Sequence, residues 1–188
     1  MHVQMIRHGK PASTWGDVDE DPGLDETGHA QARTAAEALL ALPEARRPTR
    51  VISSPLRRCR ETAAPFAAAL GVPVTIDPRV GEIPTPAALS ADERPGWLRA
   101  AFGGLWREMT GDLDYDQWRR GVAEAVAGYG GAAVFSHYVA INAAVSTALD
   151  DDRVMGFRPD HCSISHFETD GKRLILKEKG REASTQVL

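Results

Sequence analysis

Chemically active side chains follow three short apolar runs of this sequence. The three segments are Val3–Gly9, Val51–Ser54 and Ala132–His137, which end in Arg7-His8-Gly9, Ser53-Ser54 and Ser136-His137. An arginine binds phosphate oxygens bidentately, and a neutral imidazole can attack phosphorus. Taken alone, an Arg-His-Gly triplet also suits an ordinary surface turn. If the runs are neighbouring strands, their ends meet at one sheet edge and indicate a phosphate site.

Three arginines crowd the start of a helix that follows Ser54-Pro55. They are Arg57, Arg58 and Arg60. The N-terminal end of a helix already carries partial positive charge, so a bound anion would relieve the repulsion. A solvated basic face paired with Glu61 is the alternative, and both interpretations remain open here.

Helical spacing separates the three arginines. The apolar stripe of this helix is formed by Cys59, Ala63, Phe66 and Leu70. Arg57 and Arg60 lie off that stripe, whereas Arg58 can reach back toward the strand ends. Arg58 is therefore the candidate phosphate ligand of the cluster.

Alternating strand and helix patterns predict the fold class. Asp25 is the expected N-cap of a first helix that ends near Pro43, and Ser54 is the expected cap of the second. The apolar positions of the first helix are Ala32, Ala35, Ala36, Leu39 and Leu40. Such alternation predicts an α/β fold: a three-layer α/β/α sandwich around a mostly parallel sheet, with its site beyond the carboxyl ends of the strands.

The second half of the chain is less regular at first. We expect residues 1–188 to form one domain, within which residues 83–131 form a helical insertion over the active-site edge. Its large apolar anchors are Trp97, Phe102, Trp106 and Trp118. A helix is expected over 140–149, and a hairpin with an Asp170-Gly171 turn closes the chain.

Composition excludes several classes of protein. The net charge of −4 argues against nucleic acid or an anionic membrane as partner, and no apolar run is long enough to span a bilayer. The first strand begins at Val3, which predicts no signal peptide and a cytoplasmic location. Cys59 and Cys162 fit no disulfide or metal-ligand spacing, so we expect reduced thiols. The sequence is compatible with a homodimer.

Four ordered motifs carry a resemblance to a known family. They are Arg7-His8-Gly9; Leu24, Gly28, Gln31 and Ala32; Ser54, Leu56, Arg58, Thr62 and Ala63; and Val134-Phe135-Ser136-His137. In these positions the chain resembles the histidine phosphatase superfamily, often called phosphoglycerate mutase-like, over most of its length.

The resemblance implies a set of catalytic residues. His8 would be the nucleophile that accepts the phosphoryl group, with Arg7, Arg58 and His137 around it. His8 must be neutral to attack, and His137 would serve best protonated. Glu82 resembles the general acid of the family's Leu-x-Glu-Ile element, although Pro84-Thr85-Pro86 then departs from the family pattern.

Other polar residues are secondary candidates. Tyr138 stands where the family usually has glycine, and it could narrow the pocket, bind substrate or point away. Ser136 could bind phosphate or orient its loop, and Ser13 and Thr14 correspond to a loop that touches phosphate in relatives. For the remaining histidines we expect structural roles; they are His2, His29, His161 and His166.

The leading functional hypothesis is a metal-independent phosphomonoester hydrolase that uses phosphohistidine, needs no cofactor and acts on a phosphorylated small molecule. A phosphoglycerate mutase-type isomerase is the alternative. The Glu82–Pro86 segment disfavours it, because such mutases resemble a longer chain with Glu-Arg-His-Tyr-Gly at this point. A third hypothesis is a catalytically weak protein that binds a phosphorylated ligand or phosphoprotein. Small members of the superfamily also dephosphorylate phosphohistidine on proteins.

Overall fold

The computed structural model describes residues 1–13, 19 and 21–184. The strands are β1 (His2–Arg7), β2 (Arg50–Ser53), β3 (Val74–Ile76), β4 (Ala132–Ser136), β5 (Ile164–Thr169) and β6 (Leu174–Glu178). The helices are α1 (Glu26–Leu40), α2 (Arg57–Leu70), α3 (Arg94–Phe102), α4 (Tyr115–Ala127) and α5 (Tyr138–Ala148). Short 3₁₀ turns lie at Glu44–Arg46, Pro78–Val80 and Trp106–Glu108.

The strands form one sheet in the order β3-β2-β4-β1-β5-β6. The four strands from β3 to β1 are parallel to one another, whereas β5 runs antiparallel to β1 and β6 antiparallel to β5. The expected C-terminal hairpin is confirmed as β5 and β6. Strand β5 pairs with β1, and β6 is the edge strand on that side of the sheet.

Helices cover both faces of this sheet. Alternate residues of β4 point to opposite faces, so Val134 joins the core under α4 and α5 while Phe135 joins the core under α1 and α2. The helix residues Ile141 and Phe66 fill these two cores and are fully buried. The predicted α/β/α sandwich is confirmed.

The predicted start of α1 is confirmed and that of α2 is wrong. The Asp25 carboxylate accepts a hydrogen bond from the Gly28 N–H at 2.7 Å, as an N-cap does. Helix α2 instead begins at Arg57, with Leu56 as its N-cap. Ser54 lies before the helix because its hydroxyl contacts the Leu56 N–H and the ring of His137.

Residues 83–131 contain α3, a 3₁₀ turn and α4. Helix α4 packs against α5. Of the expected aromatic anchors, Trp106 is buried in the core, and the others are partly buried against it: Trp97, Phe102 and Trp118. That this segment acts as a lid remains a prediction. Among the described residues, every helix is too short or too polar to cross a membrane.

Candidate active site

The three chemically active segments meet at the carboxyl ends of β1, β2 and β4. Arg7 is paired with Ser136 across the sheet, and the His8 N–H donates to the Ser136 carbonyl at 3.0 Å. On the other side of β4, the Ser54 N–H donates to the Phe135 carbonyl at 3.0 Å. Parallel pairing therefore brings these residues to one sheet edge, as the sequence predicted.

Close backbone approach explains the glycine after His8. A Cβ atom on Gly9 would lie 2.7 Å from the Gly28 carbonyl oxygen, and one on Gly28 would lie 2.2 Å from the Lys10 carbonyl oxygen. Only two glycines allow α1 to pack this tightly on the turn. The Gly9 N–H also donates to the Thr62 hydroxyl at 2.9 Å, which ties the turn to α2.

The hydrogen bonding of His8 defines its tautomer. Its Nδ1 lies 2.8 Å from the Gly9 carbonyl oxygen, which can only accept, so Nδ1 carries the proton and Nε2 keeps its lone pair. The pKa of His8 is well below its usual value because the ring is buried and lies near His137, Arg7 and Arg58. His8 is therefore neutral with a free lone pair on Nε2, and the role of nucleophile that the resemblance implies remains a prediction.

His137 lies beside His8, with 5.3 Å between the ring centroids. Arg58 Nη2 lies 3.3 Å from His137 Nδ1, and the Ser54 hydroxyl lies 2.8 Å from Nε2. Because a guanidinium can only donate, Nδ1 accepts, and Nε2–H donates to Ser54. A protonated His137 is what the resemblance favours, but burial and the charges of Arg58 and Arg7 hold its pKa well below the usual value and favour the neutral ring.

The two arginines supply buried positive charge. Arg7 and Arg58 are only 6% and 8% exposed, whereas Arg57 and Arg60 are exposed. Burial lowers the pKa of Arg7 to about 10, at which it is still charged at neutral pH. The assignment of Arg58 from helical spacing is thus confirmed in its position. A pair of buried guanidiniums is a strong anion site.

Glu82 joins this cluster although a lone glutamate before Ile-Pro usually faces solvent. Its Oε2 lies 3.5 Å from His137 Nδ1 and 3.9 Å from Arg58 Nη2. Burial raises the pKa of its carboxyl, and the opposing effects of Arg58, the Ile83 N–H and Arg7 are smaller. A carboxyl of raised pKa next to His137 has the properties of a general acid.

The segment before Glu82 is anchored to the sheet and to α4. Asp77 caps the Pro78–Val80 turn by accepting from the Arg79 N–H, and it also binds the Arg79 guanidinium and the Tyr129 hydroxyl. The Ser136 hydroxyl donates to the Val80 carbonyl at 2.7 Å. Of the two roles considered for Ser136, this contact is the orienting one.

Side-chain capping differs among the five helices, and α3 has no side-chain cap from its N-cap residue Glu93. Asp25 and Asp114 cap α1 and α4 with their carboxylates. Neither α2 nor α5 has a side-chain cap from its N-cap residue, and the N-cap of α5 is His137 itself. The Asp21 carboxylate nevertheless accepts from the Arg57 N–H at 2.8 Å, so of these two helices α5 is the one whose first turn can offer N–H groups and the positive end of the helix dipole to an anion.

Comparison with known proteins agrees with this geometry. The sequence profile described as histidine phosphatase superfamily (branch 1) matches residues 3–181. The chain belongs to that superfamily. It is also 33% identical over 167 residues to an uncharacterised protein of Mycobacterium tuberculosis strain H37Rv, which covers 87% of this chain and 72% of the relative. The chain is thus a phosphatase or phosphoglycerate mutase-like enzyme.

Solved structures share the fold over nearly the whole chain. The mycobacterial glucosyl-3-phosphoglycerate phosphatase aligns with a TM-score of 0.71 at 24% identity, covering 97% of this chain and 99% of its own. The phosphoserine phosphatase of Entamoeba histolytica aligns with a TM-score of 0.73 at 19% identity, covering 96% of each chain. These likenesses show the histidine phosphatase fold.

Tyr138, where the superfamily usually has glycine, lies behind Arg7. The Arg7 guanidinium carbon is 5.1 Å from the centre of the Tyr138 ring, and the Tyr138 hydroxyl donates to Met155 Sδ at 3.1 Å.

Ser13 has a buried hydroxyl with no hydrogen-bond partner among the described residues, and its phosphate role remains a prediction. Thr14 lies outside the described residues.

His161 is the site residue that sequence reasoning missed. Its ring centroid lies 5.7 Å from that of His8, and its Nδ1 lies 3.4 Å from the His8 carbonyl oxygen. Cys162 adopts a left-handed conformation with φ of 56° and donates its N–H to the Arg7 carbonyl, which ties this turn to β1. Antiparallel pairing places the start of β5 beside the end of β1, and no local sequence pattern signals this pairing.

Three further histidines lie away from the site, whereas the two cysteines lie next to it. His29 is half-exposed on α1, while His2 and His166 contact each other with 3.0 Å between Nδ1 and Nε2. Structural roles fit these three. Cys59 and Cys162 are free thiols, as expected. Burial raises the pKa of Cys162 to about 12 and that of Cys59 further, so both stay protonated.

Proposed function

We propose that this protein is a metal-independent phosphomonoester hydrolase that acts on a phosphorylated small molecule through a phosphohistidine. One observation carries the proposal. The Nδ1 proton of His8 is held by the Gly9 carbonyl, so Nε2 is an unprotonated nucleophile beside two buried guanidiniums and a carboxyl of raised pKa. Nucleophile, anion binders and acid are the parts that phosphoryl transfer requires.

In the first step, His8 Nε2 forms a bond to phosphorus while the bond from phosphorus to the leaving oxygen breaks. That oxygen takes the proton of the Glu82 carboxyl and departs as an alcohol. The products are phosphohistidine and a Glu82 carboxylate. An acid matters most for an alkyl leaving group, because an alkoxide is a poor leaving group unless it is protonated.

In the second step, the Glu82 carboxylate accepts a proton from a water molecule, whose oxygen attacks phosphorus. The bond from phosphorus to His8 Nε2 breaks, inorganic phosphate leaves, and Glu82 is again protonated. The same carboxyl therefore serves as acid and then as base, and the enzyme returns to its starting state without a cofactor.

Arg7, Arg58 and His137 would stabilise the transition state. Negative charge spreads over the equatorial oxygens of the transferring group, and fixed buried donors are most effective against such charge. Burial and the charges of Arg58 and Arg7 favour the neutral form of His137. A phosphate dianion would offset both of these charges and so raise the pKa of His137, which would then bind phosphate as an imidazolium.

Two observations support a small-molecule substrate. Phe102 of α3 packs against Tyr138 with 5.5 Å between ring centroids, so residues 83–131 lie next to the residue that contacts Arg7 and could wall the phosphate pocket. Glucosyl-3-phosphoglycerate phosphatase and phosphoserine phosphatase, which share this fold, are named for small phosphate esters. We infer a phosphate monoester of that general size.

The experiment is hydrolysis of an aryl phosphate in excess chelator, with a rapid acid quench and assay for acid-labile phosphoenzyme. Wild type is compared with His8→Ala and with His29→Ala, a matched loss of a half-exposed histidine on α1. We expect turnover and label in wild type and His29→Ala, and neither in His8→Ala.

Other outcomes would point to the alternatives. Label that passes to an acceptor alcohol instead of water would indicate a mutase-type transferase. Phosphate binding without label or turnover would indicate a binding protein. Activity that chelator abolishes and added metal restores would contradict the metal-independent mechanism.

A further inference from the structure

Arg7 is a buried cation with few protein partners. Its Nη1 donates to the Pro159 carbonyl at 3.0 Å, and its buried Nε has no hydrogen-bond partner among the described residues. Within the same residues, no carboxylate lies within 4 Å of its guanidinium. A buried donor without an acceptor is costly, so the Arg7 Nε–H is suited to bind an anion. Hydrogen bonding from the protein therefore fixes Arg7 only at one nitrogen.

The Tyr138 ring is the other group that holds Arg7. The guanidinium carbon lies 5.1 Å from the ring centre, within the range of a cation–π contact. The ring is itself fixed on two sides, by the stack on Phe102 and by the hydroxyl contact to Met155. It is 6% exposed, and a desolvated contact of this kind is stronger than an exposed one.

The chain position of Tyr138 couples this contact to the rest of the pocket. Tyr138 is the first residue of α5 and follows His137, the N-cap of that helix. The same two residues thus place an imidazole against Arg58 and an aromatic face against Arg7. Glycine, which the superfamily usually has at this position, offers no such face.

We propose that Tyr138 is a positioning residue whose ring serves as a platform for the Arg7 guanidinium and thereby sets phosphate affinity. This inference rests on the proposed phosphate site. It assigns the role to the ring and not to the hydroxyl, because the hydroxyl is used on Met155 and not on the pocket.

The test compares Tyr138→Leu, which removes the aromatic face, with Tyr138→Phe, which keeps it. The readout is the dissociation constant of inorganic phosphate by calorimetry, together with kcat and KM on an aryl phosphate. We expect Tyr138→Leu to bind phosphate about tenfold more weakly and Tyr138→Phe to bind like wild type. In an Arg7→Ala background, the Leu substitution should cause no further loss of phosphate binding.

Phe167→Leu is the matched control for loss of a buried ring, because Phe167 belongs to the same core cluster and is fully buried on β5. It should lower the melting temperature without changing phosphate affinity. Equal weakening by Tyr138→Phe and Tyr138→Leu, or a further loss in the Arg7→Ala background, would overturn the platform.

Phosphate binding separates this inference from the proposed function. If wild type binds phosphate but does not hydrolyse phosphate esters, the proposed hydrolase activity is wrong, and the role of the Tyr138 ring is still tested by phosphate affinity. Wild type that hydrolyses phosphate esters while Tyr138→Leu binds phosphate unchanged would overturn the platform alone. No phosphate binding by wild type would overturn both.

Discussion

Glu82 Oε2 lies 3.9 Å from Arg58 Nη2, yet the pKa of the Glu82 carboxyl is raised. A guanidinium at this distance normally lowers a carboxyl pKa. Burial outweighs it here, since the Glu82 side chain is only 13% exposed. The pair therefore combines an anion-binding cation with a carboxyl of raised pKa, and the proposed mechanism requires both in the same pocket.

The first prediction concerns the leaving group. Glu82→Gln and Glu82→Ala remove the proton donor, so kcat/KM for an alkyl phosphate should fall by about 10²- to 10⁴-fold. An aryl phosphate, whose leaving group needs little protonation, should lose far less. Steady-state kinetics on both substrates provide the measurement. Glu61→Gln is the control, because Glu61 pairs with Arg57 outside the cluster and should affect both substrates equally. Equal losses of kcat/KM on the alkyl and the aryl phosphate in the Glu82 variants would show that Glu82 is not the general acid.

The second prediction is the pH dependence of kcat/KM for an alkyl phosphate. His8 must be neutral, and its pKa is lowered, so activity is lost only as the pH falls through that depressed value. Glu82 must be protonated, and its pKa is raised, so activity falls as the pH rises through that elevated value. The alkaline decline should be much weaker for an aryl phosphate and absent in Glu82→Gln. An alkaline decline that survives in Glu82→Gln belongs to another group.

Sequence reasoning reached the parts of the site that lie at strand ends. Arg7, His8 and His137 follow apolar runs, and parallel pairing of β1 and β4 brings such ends together wherever the sheet forms. Helical spacing likewise selected Arg58, because the direction of a side chain on a helix follows from its position in the turn.

The parts that sequence reasoning missed depend on contacts distant in the chain. His161 lies near His8 only because β5 pairs antiparallel with β1, a pairing that no local pattern encodes. Ser54 has the sequence of a helix cap, but its hydroxyl contacts His137, 83 residues away, so tertiary contact overrides the local preference. The protonation of His137 likewise follows from burial, which is a property of the assembled core.

The third prediction concerns Ser54, whose hydroxyl accepts from His137 Nε2–H at 2.8 Å. Ser54→Ala leaves that buried N–H only the weak acceptor Cys59 Sγ, 3.3 Å from Nε2, which costs about 1–3 kcal/mol and should lower kcat about 10- to 100-fold with a smaller change in KM. Ser146→Ala is the control, because its buried hydroxyl only donates to the Ala143 carbonyl within α5. It should leave kcat unchanged. An unchanged kcat in Ser54→Ala would show that His137 does not need the hydroxyl partner at Nε2.

The fourth prediction compares two aspartates that bind arginine with the same local geometry. Asp77 and Asp151 each accept from the N–H and the guanidinium of the arginine two residues later, Arg79 and Arg153. Asp77 also accepts from the Tyr129 hydroxyl and has a side chain only 8% exposed, against 20% for Asp151. Asp77 therefore fixes the segment before Glu82 to the turn that follows α4, whereas Asp151 holds a pair closer to solvent.

Asp77→Asn should lower the free energy of unfolding by about 2 kcal/mol, since hydrogen bonds to a buried charge are the stronger kind. Asp151→Asn should cost under about 1 kcal/mol, as exposed ion pairs do. Urea titrations at neutral pH measure both. The pKa of Asp77 is about 2, below its ordinary 3.8, so its contribution is present above pH 3.8 and is lost as the pH falls toward 2. The difference between wild type and Asp77→Asn should shrink over that interval. Equal costs at neutral pH for the two substitutions would show that burial and the Tyr129 contact add nothing to the Asp77 site.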